Sequence, residues 1–242
     1  MQKQVSAAEN PAAKAPNVFR STCLRPRPDL STEERTRFDA MFAARNAAME
    51  AQGITTEMMF DAIRRGDKGA ETTHREELER LKLEEERLSR DMRPLQFKAW
   101  EREDANLVTN VGRNDILDKY WRGSSYTQTV VMGLKGTGAP AAGDTQASHA
   151  GWLEVGGTNA PAYTGSRKAV TMGAASAQSS VSPQQTFAIT STGTVSGLFM
   201  NNGGSSTKDD TTGVLVSAVN FTGGDEAVNN GDSLLVTYTF NG

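Results

Sequence analysis

The chain has 242 residues, 37% of them hydrophobic, and a formal net charge of −3. That length accommodates one or two domains with a real core, and the charge balance argues against a general nucleic-acid binder, which carries a basic stripe. A single cysteine, Cys23, excludes an internal disulfide and a thiolate metal cluster and reads as a free thiol of a reducing cytoplasm.

Charge is spread unevenly. After Gly123 the only basic residues are Lys135, Arg167, Lys168 and Lys208, whereas the stretch before it is dense in both signs. No apolar run approaches the ~18 residues of a membrane span. The start, Met1 to Pro11, lacks the apolar centre of a secretory signal.

Residues 1–30 contain Pro11, Pro16, Pro26 and Pro28, which forbid a regular helix of any length, so they read as an extended N-terminal arm. Leu30-Ser31-Thr32-Glu33-Glu34 is a capping box, with Ser31 as N-cap and Glu34 three residues on. The helix it opens carries Phe38, Met41, Phe42, Arg45 and Met49 near a 3.6 period, and Gly53 is its expected stop. Thr55 or Thr56 then caps a second short helix through Met58, Met59 and Ile63, ended by Gly66. The Met/Phe face of this pair reads first as ordinary helix–helix core, and second as a pliable docking face.

From Glu71 to Arg93 the charge is densest. Leu78, Leu81, Leu88, Met92 and Leu95 fall at heptad positions a, d, d, a, d, with Glu85 at the intervening a. The spacing predicts a short seam. It reads either as a coiled coil through which copies associate or as a helix stripe lying on another domain. Pro94 bends or ends that helix, and Phe97 and Trp100 follow as a second apolar patch. Residues 31–105 therefore read as a helical attachment region.

Asn114-Asp115 caps a helix of one to two turns holding Ile116, Leu117, Tyr120 and Trp121, closed by Gly123. So short a helix is unstable alone and is expected to lie against something. From Tyr126 the period changes to two. Strands are predicted at Tyr126–Leu134, Trp152–Val155, Lys168–Met172, Thr186–Thr190, Thr194–Met200, Val214–Val219 and Ser233–Phe240. The fold class expected is α+β in separate regions. An extended arm and a helical or coiled-coil region precede an antiparallel, jelly-roll-like β-sandwich over 106–242.

Candidate chemistry is thin. Asp144, Ser148 and His149 place an acid, a hydroxyl and an imidazole in one loop. A hydrolytic triad is assembled from separate elements, so this loop reads as a folded connection whose Trp152 enters the core. Asp209-Asp210, Asp225-Glu226 and Asp232 supply carboxylates, but no calcium-loop motif surrounds them. Gly136-Thr137-Gly138 lacks the Lys-Ser/Thr of a phosphate loop. No catalytic, cofactor-binding or metal-binding residue is assigned.

Four runs carry a resemblance: Asn110 to Tyr120, Gly143 to Trp152, Thr192 to Phe199, and Val228 to Tyr238. Together they resemble the β-rich C-terminal module of structural proteins of tailed bacteriophages, over roughly residues 106–242. The resemblance implies a virion component, assembled in the host bacterial cytoplasm, with no enzymatic residues and no cofactor. The expected role is a neck, head–tail-junction or fibre protein docked by its arm and helices on the portal/connector or the major capsid protein. A capsid decoration protein is the alternative, and a receptor- or glycan-binding tail module the third reading. A homo-oligomer, most simply a trimer joined at Leu78, Leu81, Leu88, Met92 and Leu95, completes the expectation, with neither nucleic acid nor membrane as partner.

Overall fold

A computed structural model describes residues 17–123, 125 and 129–241. The first part of the expected arm, residues 1–16, and the expected strand start, Tyr126 to Gln128, lie outside the described residues.

The described chain opens as a strand, β1 (Val18–Pro26), in which Phe19, Ser21 and Cys23 are buried and Arg20 is exposed. That alternation is the signature of a half-buried strand. Two long helices follow, α1 (Thr32–Arg65) and α2 (Lys68–Met92), then a 3-10 turn at Arg93–Leu95 and β2 (Gln96–Ala105). Next come β3 (Leu107–Val108), α3 (Asn110–Tyr120), β4 (Val130–Gly138), β5 (Trp152–Val155), β6 (Lys168–Ala169) and β7 (Ser179–Val181). The chain closes with β8 (Gln185–Ala188), β9 (Gly193–Val195), β10 (Gly197–Asn202), β11 (Val214–Asn220), β12 (Glu226–Val228) and β13 (Ser233–Asn241).

The strands pair antiparallel throughout the described residues. One sheet runs β2-β1-β13-β7, with β8 also on β13. A second runs β3-β11-β10-β4-β5, with β6 on β4, and β12 and β9 form a separate ribbon. The two sheets share a core: Phe19, Cys23, Leu234, Val236 and Tyr238 from the first meet Met132, Leu134, Leu198, Met200 and Val219 from the second.

The regions are less separate than the sequence suggests. β1 lies inside the expected arm and β2 inside the expected helical region, yet both belong to the sheet that holds the C-terminal strand β13. The helical hairpin is thus an insertion between two neighbouring strands. β2 hides in the sequence because it carries Lys98, Glu101, Arg102, Glu103 and Asp104. Such charge suits a sheet edge, where it discourages pairing with another chain.

The two helices expected between Ser31 and Gly66 are one, α1, whose outer ends are as expected. Ser31 and Glu34 complete the capping box, and Gly66 caps α1 in the left-handed region at φ 71. Gly53 is not a stop. α1 passes through it, and a Cβ there would lie 2.9 Å from Ser166 Oγ and 3.1 Å from Ser166 N. It is a point of close approach between α1 and the β module.

The seam also finds a different partner. Leu78, Leu81, Leu88, Met92 and Leu95 are all buried within one chain, with α2 lying along α1. Leu78 packs with Met59, Phe60 and Val131, and Met92 and Leu95 pack with Phe38. The a/d spacing is used inside the molecule, so these side chains offer no free face for joining copies.

Candidate functional site

The Asp144–Trp152 loop is a latch. Asp144 Oδ2 accepts from Trp152 Nε1 at 2.9 Å and from the Ala141 amide at 2.8 Å. His149 stacks on Trp152 with ring centroids 4.0 Å apart, and its Nδ1 donates to the Trp152 carbonyl at 3.1 Å. The acid and the imidazole are both spent on holding the indole, which packs with Phe199, Leu215 and Ala218. No relay from acid through imidazole to Ser148 is formed. The remaining six acids of this half are likewise committed: Glu154 to Arg167, Asp209 to Thr158, Asp210 to Thr212, Asp225 to Thr137, Glu226 to Arg102 and Asp232 to Arg25. Among the described residues no group of three or more His, Cys, Asp or Glu is placed to hold a metal ion.

Cys23 sits in the core with its Sγ 3.7 Å from Asp232 Oδ2. Burial, and then the Asp232 carboxylate, push its thiol far above the ordinary value. A thiol held protonated in this way is a poor nucleophile.

Polar residues also fasten the hairpin to the β module. Glu57 on α1 accepts from Ser205 Oγ at 2.8 Å and from the amides of Ser206 and Thr207 at 2.5 and 3.1 Å. Beneath that loop, Arg167 Nη2 and Glu154 Oε2 form a fully buried ion pair at 2.5 Å. Arg167 also donates to the Asp210 carbonyl at 2.7 Å, so the pair is braced by the loop it supports. None of these partners lies near its mate in sequence, which is why no local pattern announces them.

Between the hairpin and the β module lies a cleft of about 1220 Å³. Its walls include Met59, Phe60 and Ile63 of α1, Glu76 to Arg90 along α2, and Lys168, Val170 and Gln185 of the β module. Lys168 is 9% exposed, and its ammonium donates to the Thr164 carbonyl at 3.0 Å. Burial lowers its pKa to about 8, against the attraction of Glu85. Arg45 is 1% exposed, and its Nε and Nη2 have no hydrogen-bond partner among the described residues. Glu85, the polar interruption of the heptads, is the carboxylate whose charge both cations feel.

A second candidate surface is α3. Its cap is Thr109, whose Oγ1 accepts from Gly112 N at 3.0 Å, one turn earlier than Asn114-Asp115. The helix docks on β11 by its glycine: a Cβ on Gly112 would stand 2.3 Å from the Val216 carbonyl oxygen. Asp115 adds a hydrogen bond from Asn202 at 3.0 Å. The large apolar residues of this stretch face outward. Leu117 is 53% exposed, Tyr120 77% and Trp121 78%, with the two aromatic rings edge to face at 5.1 Å.

Compared with protein-family models, with curated proteins and with solved structures, the chain gives no match.

Proposed function

We propose that this chain is a structural component of a tailed-phage virion, a neck, head–tail-junction or fibre protein that docks on the portal/connector or the capsid. The observation that carries the reading is the exposed apolar end of α3. It is built from the Asn110–Tyr120 run, which belongs to the resemblance to phage structural modules. Large aromatic side chains left in water are typical anchors of protein–protein contacts. Tyr120 and Trp121 are of that kind, with the aliphatic Ile116 and Leu117 exposed beside them. The two sheets are proposed to form the jelly-roll-like module that such proteins project or pack against neighbours. Copies are proposed to associate through surfaces other than the α2 seam.

The test is incorporation into particles. Leu117→Asp with Trp121→Asp is expected to leave the circular dichroism spectrum and the melting temperature unchanged while the protein disappears from purified virions. Incorporation at the wild-type level would overturn the assignment of α3. The alternative, capsid decoration through the same surface, is separated by copy number. Copies by the hundred in each particle indicate decoration, and a single ring indicates a neck.

A further inference from the structure

We propose that the cleft between the helical hairpin and the β module binds an organic monocarboxylate with an apolar body, and that Lys168 receives the carboxylate. This is independent of the assembly role and stands or falls without it.

The Lys168 ammonium has one oxygen acceptor, the Thr164 carbonyl, and two aromatic rings, Tyr163 and Phe187, at 5.8 Å. A lysine head carries three donors, and Lys168 spends one on the Thr164 carbonyl. The carboxylate closest to being its counter-ion, Glu85, forms no ion pair with it and instead accepts from Gln52 Nε2 at 2.9 Å. Two further cations act on the same ammonium, Arg45 and Lys208, and both repel it. Lys208 donates to the Tyr163 carbonyl at 2.5 Å and is attracted by Glu154, Asp209 and Glu50. Glu154 is already paired with Arg167, and Asp209 accepts from Thr158. The region around Lys168 therefore holds more buried positive than free negative charge. Buried charge left uncompensated is costly, and an anion supplied from outside removes the cost.

The shape and lining of the cleft select the kind of anion. Lys168 lines both the large cleft and a small chamber of about 20 Å³ beside Gly53 and Ser166, and its ammonium lies 5.8 Å from the Tyr163 and Phe187 ring centroids. Met59, Phe60, Ile63 and Val170 supply apolar wall in the same cleft, which suits an aliphatic or aromatic body. On the α2 side Glu76, Glu79, Glu85 and Glu86 alternate with Arg75, Lys82, Arg90 and Arg93, so that wall is balanced in charge. A phosphate has no apolar body to set against Met59, Phe60, Ile63 and Val170, and gains nothing from that part of the cleft. One buried ammonium in a cleft with an apolar wall matches one carboxylate.

Isothermal titration calorimetry on the full chain tests this with decanoate, decyltrimethylammonium and inorganic phosphate as probes. Decanoate is expected to bind one to one. The cationic amphiphile and phosphate are expected not to bind. Lys168→Met keeps the length and removes the charge, and is expected to weaken decanoate binding roughly tenfold or more. Gln185→Trp, which fills the cleft and leaves Lys168 in place, is expected to weaken it as well. A second readout is proton uptake: a carboxylate at Lys168 restores its proton, so at pH 9 the heat should depend on the ionisation enthalpy of the buffer. Equal binding of decanoate to wild type and Lys168→Met overturns the proposal. So does binding of decyltrimethylammonium as tight as that of decanoate, or no decanoate binding at all.

Discussion

Burial at Lys168 works against the charge it carries, and that tension sets a pH dependence. Its native pKa is about 8, whereas the unfolded chain titrates at the ordinary 10.5. Between those values the unfolded state binds more protons, so stability rises with pH through that window, and the penalty is present in full below it. Lys135, whose ammonium donates to the Gly136 carbonyl at 2.8 Å, is also lowered to about 8 by burial and adds to the same rise. Lys168→Met is expected to be more stable than wild type at neutral pH by on the order of 2 kcal/mol. It should also show a smaller alkaline gain in urea unfolding. An unchanged gain in the variant would mean that Lys168 is better compensated than its surroundings indicate. Ser31 and Glu34, partners close in sequence, were legible; the loop of Asp144 was read as a folded connection, but not its bond to Trp152. Lys168, Arg45 and Glu57 were not legible, because what makes each of them unusual is contributed by a distant segment.

Elements tell a similar story through glycine. Gly112 has a purpose that a helix pattern cannot display, since it lets α3 lie against the backbone of β11. Gly112→Ala adds helix propensity worth up to ~1 kcal/mol. The added methyl meets Val216 backbone atoms at 2.3–2.9 Å, which cannot swing away like a side chain. The clash should win, with a net destabilisation of about 1–3 kcal/mol in chemical unfolding. At Gly53 the expectation of a helix stop failed for the same reason: the residue answers to Ser166 and not to its neighbours along α1. The strands that alternate cleanly were readable, and Trp152–Val155 matches its predicted range. β1 was masked by Pro26 and two arginines, and β2 by its edge charges, so periodicity was present in the fold but diluted in the composition. α3 was expected to lie against something and does, but its cap is Thr109 and its contact with β11 is made at Gly112 and not by its large apolar residues. Hydrophobicity marks a side chain that wants a partner and does not say whether that partner is in the same chain.

For the whole molecule, the heptad stripe decides how the hairpin stands. Leu81 and Leu88 are 4% and 6% exposed within the single chain. Leu81→Asp with Leu88→Asp therefore places two carboxylates in the α1–α2 interface, at a cost of several kcal/mol (about 4 or more). Sedimentation should show an unchanged assembly state, while thermal unfolding shows the hairpin melting early. Dissociation of an intact oligomer would instead restore the seam as an intermolecular contact. The hairpin is tied to the β module at Gly53, at Glu57 and through Met59 and Phe60 against Val131, and the cleft opens where those ties end.

The pairing of β1 with β13 bears on how the chain is made. Cys23 and Asp232 touch across 209 residues of sequence, and β1 finds its place only between β2 and β13. At translation rates of ~5–20 residues per second, β1 leaves the ribosome about 10–40 s before the strand that completes its side of the sheet. During that interval α1 and α2 can already form their local contacts, while Phe19 and Cys23 have no finished core to enter. Of the described strands, β13 is synthesised last and closes the sheet. A ribosome stalled before Ser233 should therefore hold a folded hairpin beside an open, protease-sensitive β module.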